Sequence, residues 1–262
     1  MANYSSNNVS VIDTTTYMVV GTIPVGEGPG AIAITPDGTM AFVTNENSHS
    51  VSVIDISTNM LAGSTDAVGD GPIGIAITPD GKSAYVTNNS SNNVSVIDTL
   101  TFSVVETIAV GMQPMGILIT PDGKSAYVAT LVDVSVIDTA TNMVVGSPIS
   151  VPNGPEAIAI TSDGKSIYVA VRNDTVSIID TTTNKVVGSP IAVGSTPGFP
   201  MALAITPEDD LLGDPEPPMG DGNGSSSNSC ALASPGASQS IPLYLLIPAF
   251  ILIRRGLRRR TN

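Results

Sequence analysis

One unit returns along the chain at nearly constant spacing, and that spacing limits the folds open to it. The run ITPDG begins at Ile34, Ile77 and Ile119, becomes ITSDG at Ile160 and persists as ITPED at Ile205. VSVID begins at Val9, Val51, Val94 and Val134, with VSIID at Val176, so successive starts lie 42, 43, 40 and 42 residues apart. A period near forty suits four short strands and three turns, which is the sequence mark of a propeller blade.

Each unit reads as four strands. The first is of the AIAIT type (Ala31–Thr35, Gly74–Thr78, Gly116–Thr120, Ala157–Thr161, Met201–Thr206), where Ile alternates with Gly or Ala. Small residues on one face suit the innermost strand, where blades converge and room is least. A TPDG turn follows, in which Pro pre-sets the backbone, Asp bonds locally and Gly supplies a left-handed residue. AFVTN, AYVTN, AYVAT and IYVAV form the second strand and VSVID the third. Turns of the DTTTN type lead to an outer strand such as MVVGTIPV or KVVGSPIAV.

The AFVTN and AYVTN strands, the TPDG turns and the NNVSVID runs resemble the YVTN family of β-propeller repeat proteins. The resemblance covers roughly Met1 to Asp210 and implies an all-β propeller of four-stranded blades on a prokaryotic surface or surface layer. Counting strands predicts five blades. The last is a composite: the N-terminus supplies third and fourth strands, Met201–Thr206 the first, and Met1–Asn3 or Leu211–Leu212 a stunted second. A fragment of a larger propeller is the alternative, since propellers run from about 4 to 8 blades. The domain boundaries expected are 1–210 for the propeller, 211–240 for a Pro/Gly/Ser-rich linker and 241–262 for an apolar segment with an Arg-rich end.

Charge narrows the partners. Five of the ten Lys and Arg residues lie in the last nine positions, which leaves 23 acids against five bases before them. Such a body repels nucleic acid, whose binding needs a basic footprint. The single cysteine, Cys230, excludes an intrachain disulfide and a multi-cysteine zinc site.

Ile241–Ile253 is an uncharged run of thirteen residues, followed by Arg254, Arg255, Arg258, Arg259 and Arg260. We expect an apolar helix there, short against the roughly 20 residues of a usual span, with the arginines cytoplasmic and the propeller outside. Spacer with cysteine, apolar run and basic end together resemble the C-terminal sorting signals of bacterial envelope proteins. That resemblance implies membrane attachment through the tail, a tail-processing protease and Cys230 as the processing or attachment point; a plain tail anchor is the simpler reading. The expected location is the cell envelope. Met1–Asn8 aligns without gaps on Val86–Asn93, so the sequence opens inside a repeat and lacks the pattern of a signal peptide; for an exported protein we expect a start upstream of Met1, or a fragment.

Asp13, Asp55, Asp98, Asp138 and Asp180 recur once per unit and read as turn caps, as do Asp37, Asp80, Asp122 and Asp163 in the hairpins. His49 is the only histidine and reads as an exposed loop residue, so no histidine metal cluster can form. The loops that break the repeat are the place for a binding rim. Fourth-to-first loops contribute Glu27, Asp70, Gln113 and Glu156; second-to-third loops contribute Glu46, Asp133, Arg172 and Asp174. No cofactor is expected, and the absence of tryptophan weakens sugar and quinone ligands, which favour aromatic platforms.

These features predict a non-enzymatic, envelope-anchored scaffold or binding module for a protein or matrix partner. The alternative is a lyase or quinoprotein-like propeller enzyme with its site at the channel mouth. That alternative requires unlike rim residues to converge, for example Glu156 and Arg172 across a blade boundary.

Overall fold

The computed structural model describes residues 1–65, 68–193, 202–205 and 250–253. The chain divides into two compact units, Met1–Thr206 with Pro248–Asn262, and Pro207–Ile247; every described residue belongs to the first. The linker, Cys230, Leu211–Leu212 and the terminal arginines lie outside the described residues.

Five antiparallel sheets follow one another. Blade 1 holds β1 (Ala2–Asn3), β2 (Asn8–Asp13) and β3 (Met18–Pro24), with one turn of 3-10 helix at Tyr4–Ser6. Blade 2 holds β4 (Pro29–Ile34), β5 (Met40–Asn45), β6 (Ser50–Asp55) and β7 (Met60–Thr65). Blade 3 holds β8 (Pro72–Ile77), β9 (Ser83–Asn88), β10 (Asn93–Asp98) and β11 (Val104–Ala109). In blade 4, β12 (Ile117–Ile119), β13 (Ser125–Ala129) and β14 (Asp133–Asp138) precede an outer strand split into β15 (Met143–Val144) and β16 (Ile149–Ser150). Blade 5 holds β17 (Pro155–Ile160), β18 (Ser166–Val171), β19 (Thr175–Asp180) and β20 (Lys185–Ala192). The first strands of neighbouring blades touch in sequence, β4 to β8 to β12 to β17, as innermost strands must.

The core lies between blades, because the second and third strands are buried on both faces. In β5 and β6, Phe42, Val51 and Val53 turn toward blade 3 and meet Ala84, Val86 and Ile97. Ala41, Val43 and Ile54 turn the other way, onto Val9 and Ile23 of blade 1. Tyr85, Val94 and Val96 continue the pattern against Ala126, Val128 and Ile137, and Tyr127, Val134 and Val136 against Ile167, Val169 and Ile179. Period-2 alternation thus builds four interfaces, and sheets buried on both faces need the β-branched content seen here. Blade 1 has no such neighbour on its outward face among the described residues. Ile12 is 46% exposed, whereas its counterparts Ile54, Ile97 and Ile137 are at most 3% exposed.

Polar clasps follow the same geometry. The Tyr85 hydroxyl donates to Asn142 Oδ1 at 2.5 Å and Tyr127 to Asn184 Oδ1 at 2.6 Å, each reaching the next blade's outer turn. Where the aromatic is Phe42, the matching turn residue is Phe102, and the rings meet edge to face with centroids 6.0 Å apart. Burial pushes the Tyr85 phenol up to about 12 and raises Tyr127 as well.

Two expectations need correction. Among the described residues the composite blade does not form: blade 1 is a three-stranded sheet and β21 (Ala202–Ile205) pairs in parallel with β22 (Phe250–Ile253). Ala2–Asn3 does supply the short second strand, paired with β2. The expected C-terminal apolar helix is corrected over Phe250–Ile253, which is extended; two Ile and a Phe in four residues suit a strand. Among the described residues no helix is long and apolar enough to cross a membrane.

The repeated aspartates are turn caps. Asp13, Asp98 and Asp180 accept first from the amides of Thr16, Thr101 and Thr183, and Asp55 and Asp138 first from the hydroxyls of Ser57 and Thr141. In the hairpins the hydroxyls of Thr35, Thr78 and Thr120 lead for Asp37, Asp80 and Asp122. All eight carboxyls are held below the ordinary aspartate value because these bonds favour the charged form. Their folded values lie under the unfolded ones, so the stability they contribute is present above the unfolded pKa and is lost as pH falls through the folded one. The part of the urea midpoint that these carboxyls carry should therefore hold between pH 7 and 5 and fall below about pH 4. A midpoint unchanged down to pH 2.5 would contradict this account.

Candidate active site at the mouth of the fifth blade

The loops entering each first strand and those joining second to third strands share one end of the blades. Glu46 N donates to Gly28 O at 2.9 Å and Asn89 N to Gly71 O at 2.8 Å, so the two loop sets are tied together. Clefts at the opposite, TPDG end repeat from boundary to boundary. One of about 510 Å³ is lined by Thr78, Asp80, Tyr85, Asp122 and Thr139, and its successor by Thr120, Asp122, Tyr127, Asp163 and Thr181. Features that recur in every unit serve the scaffold; the loop face is where the units differ.

Most rim residues stand apart there. Glu27 is exposed, its amide held by Ser48 Oγ at 3.0 Å, and Glu46 begins the next loop. Asp70 is exposed, with Oδ1 4.0 Å from His49 Nδ1. Gln113 is exposed, and its amide donates to Asn92 Oδ1 at 2.8 Å. Asp133 is absorbed by its own turn, accepting from the Thr130 hydroxyl at 2.6 Å. Asp174 is a left-handed loop residue at φ 59° whose carbonyl accepts from Val193 N at 3.0 Å.

Glu156 and Arg172 do come together. Glu156 follows Pro155 on the innermost strand, at a register shift between Pro155 and Ala157. A bulge leaves its residue unpaired and re-aims the side chain, and bulges gather beside active sites. The equivalent residues after Pro29, Pro72 and Pro114 are Gly30, Ile73 and Met115, so blade 5 places a carboxylate where its siblings have hydrogen or apolar groups. Only 9% of the Glu156 side chain is exposed, and its Oε1 accepts from Arg172 Nε. Arg172 Nη2 lies 3.7 Å from Met115 Sδ across the boundary to blade 4. Gly154, at φ 77°, lets the arginine stem lie flat, since a Cβ there would come within 2.8 Å of Arg172 Cδ. The two residues thus converge within blade 5 rather than across a boundary, and Met115 is the group that crosses it.

Sequence marked Glu156 and Arg172 as unlike their repeats, but it missed Met115 and the role of His49. Met115 is visible only as the fourth-blade counterpart of Glu156. Among the described residues no group of three or more His, Cys, Asp or Glu side chains is placed to hold a metal ion.

The fold is that of a β-propeller. A model of the family described as "Lactonase, 7-bladed beta-propeller" matches residues 14–130. Hydrazine synthase of Kuenenia stuttgartiensis is similar at 36% identity over 63% of this chain and 49% of that one, with a TM-score of 0.60. Dihydro-heme d1 dehydrogenase NirN shares the fold at 16% identity, covering 76% of this chain and 43% of its own, with a TM-score of 0.60. A functionally unknown protein of Desulfotomaculum acetoxidans shares it at 17% identity, 71% and 68% coverage and a TM-score of 0.61. The chain therefore spans about half the length of the hydrazine synthase chain it matches. No curated protein matches. The expectation of a non-enzymatic protein is corrected by these likenesses: the matched family model and the 36% identical structure are both of enzymes, and they point to an enzyme-related propeller.

Proposed function

We propose that this chain is an enzyme propeller whose site is the Glu156–Arg172 pair at the loop face of blade 5, and that it hydrolyses small cyclic esters. The observation that carries this reading is a largely buried carboxylate paired with arginine at the innermost strand, where blades 2, 3 and 4 have the uncharged Gly30, Ile73 and Met115. Buried ion pairs contribute little net stability, so their presence at an unlike position favours chemistry over scaffolding. The lactonase family match supplies the substrate class.

In this reading Arg172 binds the ester carbonyl and stabilises the charge that develops on its oxygen as water attacks. Glu156 takes the proton from that water and returns it to the departing ring oxygen, giving the open hydroxy acid. Titrating acid release from γ- and δ-lactones by the full chain tests it. Turnover is expected, with a loss of at least about 100-fold in Glu156→Gln, the usual worth of a positioned acid-base group. Absence of turnover, or turnover indifferent to the substitution in a folded variant, would sink the proposal.

A second reading has its own support in the 36% identity with hydrazine synthase. In it the propeller is the supporting module of a redox enzyme, and Glu156–Arg172 serves that assembly. Lactone turnover lost in Glu156→Gln separates the first reading from this one.

A further inference from the structure

Neighbouring blades are also clasped across the loop face, and one clasp differs in chemistry from the others. Asn7 Oδ1 accepts the Gly28 amide at 3.1 Å, tying blade 1 to the loop that enters blade 2. Asn92 Oδ1 accepts the Gln113 amide at 2.8 Å, tying blade 3 to the loop that enters blade 4. Between blades 2 and 3 the acceptor is His49 Nδ1, which takes the Gly71 amide at 3.0 Å. All three acceptors sit in left-handed backbone, with φ of 53°, 51° and 55° for Asn7, His49 and Asn92. Asn and His are among the residues that tolerate that conformation. The first three units therefore share an acceptor position, filled by Asn7, His49 and Asn92, whereas Val132 and Asp174 stand there in blades 4 and 5.

An imidazole can accept at Nδ1 only when neutral, with its proton on Nε2. A second proton makes Nδ1 a donor and leaves the Gly71 N–H facing another N–H. The same nitrogen lies 4.0 Å from Asp70 Oδ1, so the proton that breaks the clasp creates an ion pair one residue away. The charged group beside the ring is Asp70, on the loop before β8; the charged residues of the adjoining loop segments are Glu46, on the loop of His49 itself, and Glu27, whose carbonyl holds the Asn47 and Ser48 amides. All are acids. The rest of the Asp70 loop stays anchored, because Asp70 N donates to Ser91 Oγ at 2.7 Å and the carbonyls of Asp70 and Gly71 accept from Ser90 and Asn89.

We infer that His49 is a pH-operated clasp: neutral, it fastens blade 2 to the loop entering blade 3 through Gly71, and protonated, it releases that amide and turns to Asp70. Histidine is the side chain whose ordinary titration falls in the physiological range, near 6.5, and this chain has only one. The inference stands on the loop geometry and does not depend on the activity proposed above.

The test is exchange of the Gly71 amide with solvent in the full, isotope-labelled chain. It is followed by NMR at pH 5.5 and 7.5 and expressed relative to the intrinsic rate at each pH. In the native chain, protection of Gly71 should be about fivefold lower at pH 5.5, the equivalent of one ordinary hydrogen bond. In His49→Asn, which copies the acceptor of Asn7 and Asn92 without its titration, protection should be the same at both pH values. Equal protection at both pH values in the native chain, or an undiminished loss in His49→Asn, would overturn the inference.

Discussion

A chain lacking Met1–Ile23 is expected to lose much of its resistance to urea, while Asp55→Asn leaves the midpoint close to native. The deletion removes Val9 and Ile23, the side chains that cover Ala41, Val43 and Ile54 of blade 2. Val43 is 0% and Ile54 3% exposed, so both pass from full burial to water. At roughly 1.5–3 kcal/mol for each large aliphatic side chain, the loss on both sides of the interface comes to about 5 kcal/mol or more. A typical domain has only about 5–15 kcal/mol in all. In a repeat array the end unit is held by one interface, and removing it forfeits that interface whole. Asp55 caps a single exposed turn, through the Ser57 hydroxyl at 2.6 Å and the Thr58 amide at 3.0 Å. Equal midpoints for the two variants would mean that the interblade core is not what holds the fold.

The repeat made strands, turns and their order readable because those depend on local chemistry. Alternation in VSVID and AYVTN, Pro and Gly in TPDG, and Asp before hydroxyl residues each act within a few positions. What sequence left hidden is long-range or depends on register. Ala202–Ile205 reads as an inner strand, yet nothing in its four residues tells that Phe250–Ile253 rather than Met1–Asn3 will pair with it. Glu156 and Arg172 stand out as unlike residues, but the bulge that aims one at the other is a property of the β17–β18 register. His49 is half exposed, as a loop histidine should be, while its acceptor role rests on a partner 22 residues away. The non-enzymatic reading failed for a related reason. It sought a familiar motif, whereas a site grafted onto a repeat shows itself only as a departure from its siblings.

Arg172→Leu and the double variant Glu156→Met with Arg172→Leu should part company, and the difference shows whether the pair belongs to chemistry or to the scaffold. The single substitution leaves a carboxylate that is only 9% exposed without its partner. Removing one member of a buried pair costs about 3–5 kcal/mol, and the partial exposure of the arginine favours the lower end. The double variant copies blade 4, which carries Met115 and Leu131 at these two positions and forms the same inner and second strands. With the charge gone and the space refilled by apolar groups, stability should return to within about 1 kcal/mol of native or exceed it. Lactone turnover should stay lost, by at least about 100-fold, because neither the proton acceptor nor the carbonyl-binding group remains. A double variant as unstable as the single one would make the ion pair part of what joins blades 4 and 5. Restored stability with turnover intact would place the chemistry elsewhere on the loop face.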